Sequence, residues 1–110
     1  MKLIGMLDSP YVRRVAISLE VLGLPFEHEA VSVFSTFERF QAINPVVKAP
    51  TLITNDGTVL MESSLILQYV EATLTGGRTL WSIDAATRLA EFRAVGLALA
   101  ACEKSVQMVY

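Results

Sequence analysis

The sequence predicts an α/β fold in which a mixed four-stranded sheet is followed by an all-helical region. The first observation is an alternation of strand-like and helix-like segments in the order βαβ, then α, then ββα. The second is the apolar content, 53% of the 110 residues, which is enough for a buried core. The third is a change of pattern after Gly76-Gly77, where apolar residues continue at helical spacing. We therefore expect one complete domain and part of a second.

The first half of the complete domain is predicted to form a β–α–β unit. Residues 2–6 are a short, largely apolar strand. Ser9-Pro10 is typical of an N-cap followed by proline at the first helical position, and it begins a helix over residues 11–22. Residues 26–33 are predicted as the second strand, because β-branched residues are common toward their end.

The second half adds a short helix, a β-hairpin and a third helix. A capping box predicts the short helix over residues 36–43. Residues 51–54 and 58–61 are strands, and the Asn-Asp-Gly turn between them is a strong hairpin signal. The third helix begins at Glu62 or Ser63.

The order of these elements predicts a thioredoxin-like domain over residues 1–76. A strand–helix–strand connection is almost always a right-handed crossover, so the first two strands are expected to be parallel. The last two strands form an antiparallel hairpin, which makes the sheet mixed.

The remaining residues are predicted to form a linker and one long helix. Residues 77–83 are interpreted as the linker, and Asp84 caps a helix over residues 84–110. Within this helix, residues 95–102 carry no polar side chain on any face, a pattern typical of a buried helix. We interpret it as the first helix of a truncated C-terminal helical domain.

Charge and cysteine content narrow the class of protein. The net charge of −2 and the pI of about 5.3 argue against nucleic-acid binding and against an anionic membrane surface. No apolar run approaches the roughly 20 residues that span a bilayer, and no signal peptide is recognisable. The single cysteine, Cys102, permits no internal disulfide and no cysteine-built metal site. We expect a soluble, cytoplasmic protein.

Three motifs, taken together and in this order, resemble the N-terminal domain of the cytosolic glutathione S-transferases, of the bacterial serine-type or theta/zeta-like kind. They are SPYVRR at residues 9–14, NPVVKAPTL at residues 44–52 and MESSL at residues 61–65. The resemblance implies an enzyme that adds the glutathione thiolate to a hydrophobic electrophile, with glutathione as co-substrate and no metal or other cofactor. It also implies that the protein forms a homodimer and acts in detoxification, and that the 110-residue chain alone has little or no activity.

Ser9 is the catalytic residue that the resemblance implies. A hydroxyl that donates to the glutathione sulfur stabilises the thiolate by roughly 1.5–3 kcal/mol, or about one to two pKa units. A thiol with a pKa of about 8.5 is only about 3% ionised at pH 7, whereas a shift of two units raises this to about three quarters. The positive end of the first helix acts in the same direction. From the residues alone, an N-cap with no further role is the favoured explanation of Ser9, and the resemblance reverses that preference.

The same resemblance implies five glutathione-binding residues. Ala49, before a cis Pro50, offers its backbone N–H and C=O to the cysteinyl part, and Lys48 reaches the glycyl carboxylate. Glu62 and Ser63 hold the γ-glutamyl ammonium and carboxylate at the start of the third helix. The alternatives are a solvated lysine before a proline and a pair of capping residues.

Two other functions remain open at this point. One is a non-catalytic regulatory module of the same fold, similar to stringent-starvation-type proteins. The other is a glutathione-dependent isomerase or dehalogenase of the same superfamily. Dithiol exchange is excluded because the junction carries no cysteine. His28 is interpreted as structural or solvated, and Arg13 and Arg14 as a solvated pair, with pairing to Asp8 or steering of an anion as alternatives.

Overall fold

The computed structural model describes residues 1–109 and divides them into two units, Met1–Arg78 and the residues from Thr79 onward. The first unit contains all four strands and three of the helices of the described chain. In chain order these are β1 (Lys2–Ile4), α1 (Pro10–Val21), β2 (Glu27–Glu29), α2 (Phe37–Ile43), β3 (Thr51–Ile53), β4 (Val59–Met61) and α3 (Ser63–Thr73). The second unit contains α4 (Ala85–Val109).

The four strands form one mixed sheet in the order β2-β1-β3-β4. β1 is parallel to β2 and antiparallel to β3, and β3 is antiparallel to β4. The predicted thioredoxin-like sheet with its helices is therefore confirmed. The first two strands are shorter than predicted, because Gly5 takes a φ of 141° after β1 and the Val31 N–H turns back to the Glu29 carbonyl after β2.

The core lies on both faces of this sheet, because successive residues of a strand point to opposite sides. Leu3 and Leu52 pack with α1 and α3 on one face. Ile4 packs with Val31 and Phe40 on the other face, where α2 lies. The side chains of Leu3, Ile4, Leu52 and Phe40 are all fully buried.

The register of the strands brings three connections to one end of the sheet. Ile4 is the last residue of β1 and pairs with Thr51, the first residue of β3, which in turn pairs with Met61, the last residue of β4. The chain therefore leaves β1 and β4, and enters β3, at the same end. The segments that carry the three sequence motifs follow or precede these strand ends directly.

The second unit is a single helix with a short lead-in segment. Asp84 accepts a hydrogen bond from the Thr87 N–H at 2.9 Å, which caps α4 as predicted. The rings of Trp81 and Phe92 pack edge to face, with centroids 4.6 Å apart. Residues 95–102, predicted to be buried, are exposed or half-buried, because a lone helix cannot bury its own apolar faces. No helix in the described chain is both long and apolar enough to span a membrane.

Candidate functional site

The candidate site lies at the end of the sheet where β1 and β4 end and β3 begins. Ser9 follows β1 and precedes α1, Pro50 immediately precedes β3, and Glu62 separates β4 from α3. Gly5, which follows β1, lies close to two of these segments. A Cβ atom on Gly5 would lie 2.6 Å from the Val12 side chain and 3.3 Å from the Ala49 side chain. The fold thus brings all three motifs to one edge.

Ser9 is the N-cap of α1, with extended backbone angles of φ −73° and ψ 126°. Its half-buried hydroxyl oxygen accepts a hydrogen bond from the Val12 N–H at 3.3 Å. An accepting hydroxyl oxygen keeps its own proton, which remains able to donate to a second group. Capping and donation to a ligand are therefore compatible, and the positive end of the helix lies at the same point.

The peptide bond between Ala49 and Pro50 is cis, as the resemblance implied. The loop before it is held by a buried polar network. The Asn44 amide donates to the Thr51 hydroxyl at 3.0 Å, and that hydroxyl donates to the carbonyl of Lys48. Within residues 1–109 the Ala49 N–H and C=O form no hydrogen bond, and the Lys48 side chain is exposed. The Ala49 backbone pair therefore keeps its hydrogen-bonding capacity, and the Lys48 side chain is accessible to a ligand.

The start of α3 combines a strained residue with a buried hydroxyl. Glu62 has a φ of 77° and a ψ of 113°, a region that residues with side chains rarely adopt. Its carboxylate accepts a hydrogen bond from the Ser64 N–H at 3.3 Å, so Glu62 caps the helix. Ser63 is 3% exposed. Strain of this kind is concentrated at functional sites in proteins.

Arg14 has side-chain partners that the interpretation as a solvated arginine did not include, and it is half-buried. Its Nη1 donates to the hydroxyl oxygens of Ser63 and Ser64, at 3.0 Å and 2.8 Å. Arg13 instead donates to the Leu7 carbonyl, and neither arginine pairs with Asp8 within the described chain. No local sequence signal indicates this contact, because Ser63 and Ser64 lie 49 and 50 residues later in the chain.

His28 has a structural contact at the same end of the sheet. Its Nε2 donates to the Gly5 carbonyl at 2.6 Å, which ties β2 to the segment after β1. This contact supports the interpretation of His28 as structural. Among residues 1–109, no group of three or more histidine, cysteine, aspartate or glutamate side chains is arranged to hold a metal ion.

Comparisons of this chain with known proteins all indicate the same family. Residues 3–76 match the sequence profile described as "Glutathione S-transferase, N-terminal domain". Glutathione S-transferase U3 of Arabidopsis thaliana is 38% identical over 76 residues, which are 67% of this chain and 33% of that protein.

Solved structures agree with the sequence matches. A glutathione S-transferase from Methylobacterium radiotolerans, in complex with glutathione sulfonate, is similar with a TM-score of 0.83 and 33% identity over 96% of this chain and 50% of that one. A maleylacetoacetate isomerase from Methylobacterium extorquens, with bound malonate and GSH, has a TM-score of 0.68 and 32% identity over 81% of this chain and 42% of that one. The chain spans about a third of the length of the curated relatives it matches.

Proposed function

We propose, from the premise that this chain belongs to the glutathione S-transferase family, that it binds glutathione and stabilises the thiolate for attack on a hydrophobic electrophile. The observation that carries the proposal is the meeting of three segments at one end of the sheet. They supply a hydroxyl donor, a free backbone pair and an anion-binding helix start, which are the three kinds of group that a thiol-bearing tripeptide needs.

The thiolate is stabilised by Ser9 in this proposal. Its hydroxyl oxygen accepts from the Val12 N–H and keeps its own proton, which is available for donation to the bound sulfur. A hydrogen bond donated to a charged sulfur and the positive end of α1 both favour S⁻ over SH, which lowers the thiol pKa. The proton leaves to solvent, and the thiolate sulfur then forms a bond to an electrophilic carbon, which either releases a leaving group with its bonding electron pair or opens a π bond that solvent protonates.

The tripeptide is held by the other two segments. Ala49 pairs its N–H and C=O with the cysteinyl backbone, beside Pro50, and the exposed Lys48 ammonium reaches the glycyl carboxylate. Glu62 accepts from the γ-glutamyl ammonium, while Ser63 and the free N–H groups at the start of α3 bind its carboxylate. The structural similarity to a Methylobacterium radiotolerans glutathione S-transferase in complex with glutathione sulfonate supports a ligand of this chemical class.

The proposal also covers the electrophile, the oligomeric state and the cellular location of the protein, which the residues of the site do not determine. In this proposal the electrophile is hydrophobic, and the protein is a cytoplasmic homodimer. Glutathione is a co-substrate, and no metal or nucleotide cofactor takes part. These assignments rest on the family and on transferase-named relatives, which do not favour the regulatory-module or isomerase alternatives.

The experiment that tests the proposal is Ser9→Ala in the intact protein. We expect the pKa of bound glutathione to rise by about one to two units, and kcat/KM at pH 7 to fall about 10- to 100-fold. The pKa is measured by titrating the ultraviolet absorbance of the thiolate in the complex. The dissociation constant of glutathione, measured by calorimetry, is expected to change little, because the tripeptide contacts remain.

Two controls separate thiolate stabilisation from helix capping. Ser9→Thr keeps both the hydroxyl and the cap and should retain the lowered pKa. Ser9→Asp keeps a capping oxygen but places a negative charge beside the sulfur, so the thiol pKa should rise further than in Ser9→Ala. A thiol pKa that is the same in the unmodified protein and in Ser9→Ala would contradict the mechanism.

A further inference from the structure

The turn between β3 and β4 contains an exposed aspartate–glycine bond. Three aspartates occur in the sequence, and of these Asp56 alone is followed by glycine. Asp56 and Gly57 are both exposed. Because glycine has no Cβ, its backbone nitrogen is the least hindered in approaching the side chain of the preceding residue. The turn therefore exposes to solvent the aspartyl bond of this chain that is chemically most prone to rearrange.

The reaction open to this bond is the conversion of aspartate to isoaspartate. The Gly57 nitrogen bonds to the side-chain carboxyl carbon of Asp56 and loses its proton to solvent, while the carboxyl OH leaves with its electron pair and a proton as water. A second water then adds to the main-chain carbonyl of the five-membered ring, and the bond from that carbonyl to the Gly57 nitrogen breaks. One water is released and one is consumed, so the product has the same mass as the starting chain and one more main-chain carbon.

Hydrogen bonds within the turn restrain both reacting groups. The Gly57 N–H donates to the Thr54 carbonyl at 3.0 Å, which engages the attacking nitrogen. The Asp56 carboxylate accepts from the Thr54 hydroxyl and, at 3.1 Å, from the Thr58 N–H. These contacts lower the pKa of Asp56, and the bond from the Thr54 hydroxyl is the largest cause. Since the reaction needs the neutral carboxyl group, the folded turn opposes it.

Thr54 is the side chain on which these contacts depend. It is 7% exposed, and its hydroxyl oxygen also accepts from the Thr58 N–H at 3.0 Å. Its backbone N–H donates to the Thr58 carbonyl at 2.9 Å. A buried side chain is held by its neighbours, so the hydroxyl stays beside the Asp56 carboxylate while the turn is closed.

We propose that the Asp56–Gly57 bond is a site of spontaneous isoaspartate formation, and that the Thr54 hydroxyl sets its rate. The product lengthens the main chain between β3 and β4, next to the pair formed by Ile53 and Val59. It also converts the former main-chain carbonyl into a free carboxylate, the group that isoaspartyl methyltransferases methylate. The turn lies at the opposite end of β3 from the candidate site, so the inference does not depend on glutathione binding.

The test is ageing of the intact protein, in which isoaspartate at residue 56 is measured by peptide mapping with electron-transfer mass spectrometry. The folded protein should form isoaspartate more slowly than the same protein unfolded in urea. Thr54→Val keeps the shape of the side chain but removes the hydroxyl, so it should raise the rate in the folded protein by about 2- to 10-fold, the factor for one lost hydrogen bond. Thr54→Ser keeps the hydroxyl and should stay close to the unmodified rate.

The matched control is Thr87→Val, because the Thr87 hydroxyl donates to the Asp84 carboxylate at 2.8 Å. Asp84 precedes alanine instead of glycine. The control should therefore form no isoaspartate at Asp84 in the same period and should leave the rate at Asp56 unchanged. Circular dichroism verifies that each variant is folded. If Thr54→Val does not fold, Thr54→Ala is compared with Thr54→Ser, since these two variants differ in the hydroxyl alone.

Three outcomes would overturn the inference. If no isoaspartate forms at Asp56 even in urea, the bond is not a modification site. If the folded and unfolded proteins react at the same rate, the turn gives no protection. If the variant without the hydroxyl reacts no faster than Thr54→Ser, the Thr54 hydroxyl does not set the rate.

Discussion

The unit Met1–Arg78 and the helix α4 are both rich in apolar side chains but use them differently. In the first unit, twelve apolar side chains are buried, among them Leu52, which is fully buried. In α4, Leu97 is 62% exposed and no described side chain is buried. The comparison shows that helical spacing of apolar residues predicts a helix in both regions, whereas burial also requires a second surface of complementary shape.

The largest expected effect comes from replacing a leucine with alanine in each of the two regions. Leu52→Ala removes a fully buried side chain that packs with α1 and α3, so it should reduce the free energy of unfolding by about 2–5 kcal/mol. Leu97→Ala should change it by no more than about 0.5 kcal/mol. Urea titration of this chain, followed by far-ultraviolet circular dichroism, measures both. Equal effects would show that α4 is packed as tightly as the sheet.

Glycine substitutions should have opposite signs in the two regions. Gly5→Ala places a Cβ 2.6 Å from Val12 at a φ of 141°, so it should destabilise the first unit by about 1–3 kcal/mol. Gly96 has open space around it, so Gly96→Ala should stabilise α4 by about 0.5–1 kcal/mol. Amide hydrogen exchange reads the two units separately. Gly5→Ala should also weaken glutathione binding, since Ala49 lies 3.3 Å from the added atom.

The smallest expected effect concerns one carboxylate in each region. A hydrogen bond from the Thr54 hydroxyl lowers the pKa of Asp56, and one from the Thr87 backbone N–H lowers the pKa of Asp84. Because both pKa values are lowered on folding, each carboxylate stabilises its turn or helix start above about pH 4, and the contribution is lost as the pH falls further.

The pH effect is measured from the amide chemical shifts of Thr58 and Thr87 between neutral pH and about pH 2. Asp84→Asn keeps a capping oxygen but cannot titrate, so it should abolish the pH dependence at Thr87 and leave that at Thr58 intact. A Thr87 shift that still titrates in Asp84→Asn would show that another group is responsible.

The order of elements could be predicted from the sequence because each signal is local. Ser9-Pro10 begins α1, the Asn-Asp-Gly turn joins β3 to β4, and Asp84 caps α4, and each involves residues a few positions apart. The ends of the first two strands could not be predicted, since they depend on Gly5 and on the turn at Val31.

The residues of the candidate site could be proposed from the sequence, but the tertiary contacts that hold them could not. The motifs identified Ser9, Lys48, Ala49, Glu62 and Ser63, and the register supports their meeting at one edge. Their roles in glutathione binding and catalysis remain predictions. The sequence assigns no separate role to Asn44, whose buried amide holds the loop before Pro50. Its contact with Thr51 forms across a loop whose path no sequence pattern reveals.

The sequence by itself determined the order of helices and strands and which faces are apolar, and its motifs predict which side chains bind a thiol-bearing tripeptide. Only the tertiary structure decided that Arg14 meets Ser63 and Ser64, which lie 49 and 50 residues later in the chain. The physical reason is the separation along the chain over which each kind of interaction acts. Capping and amphipathic spacing act within a turn or two of the backbone, whereas the pairing of a cation with distant hydroxyls depends on how α1 and α3 pack on one face of the sheet.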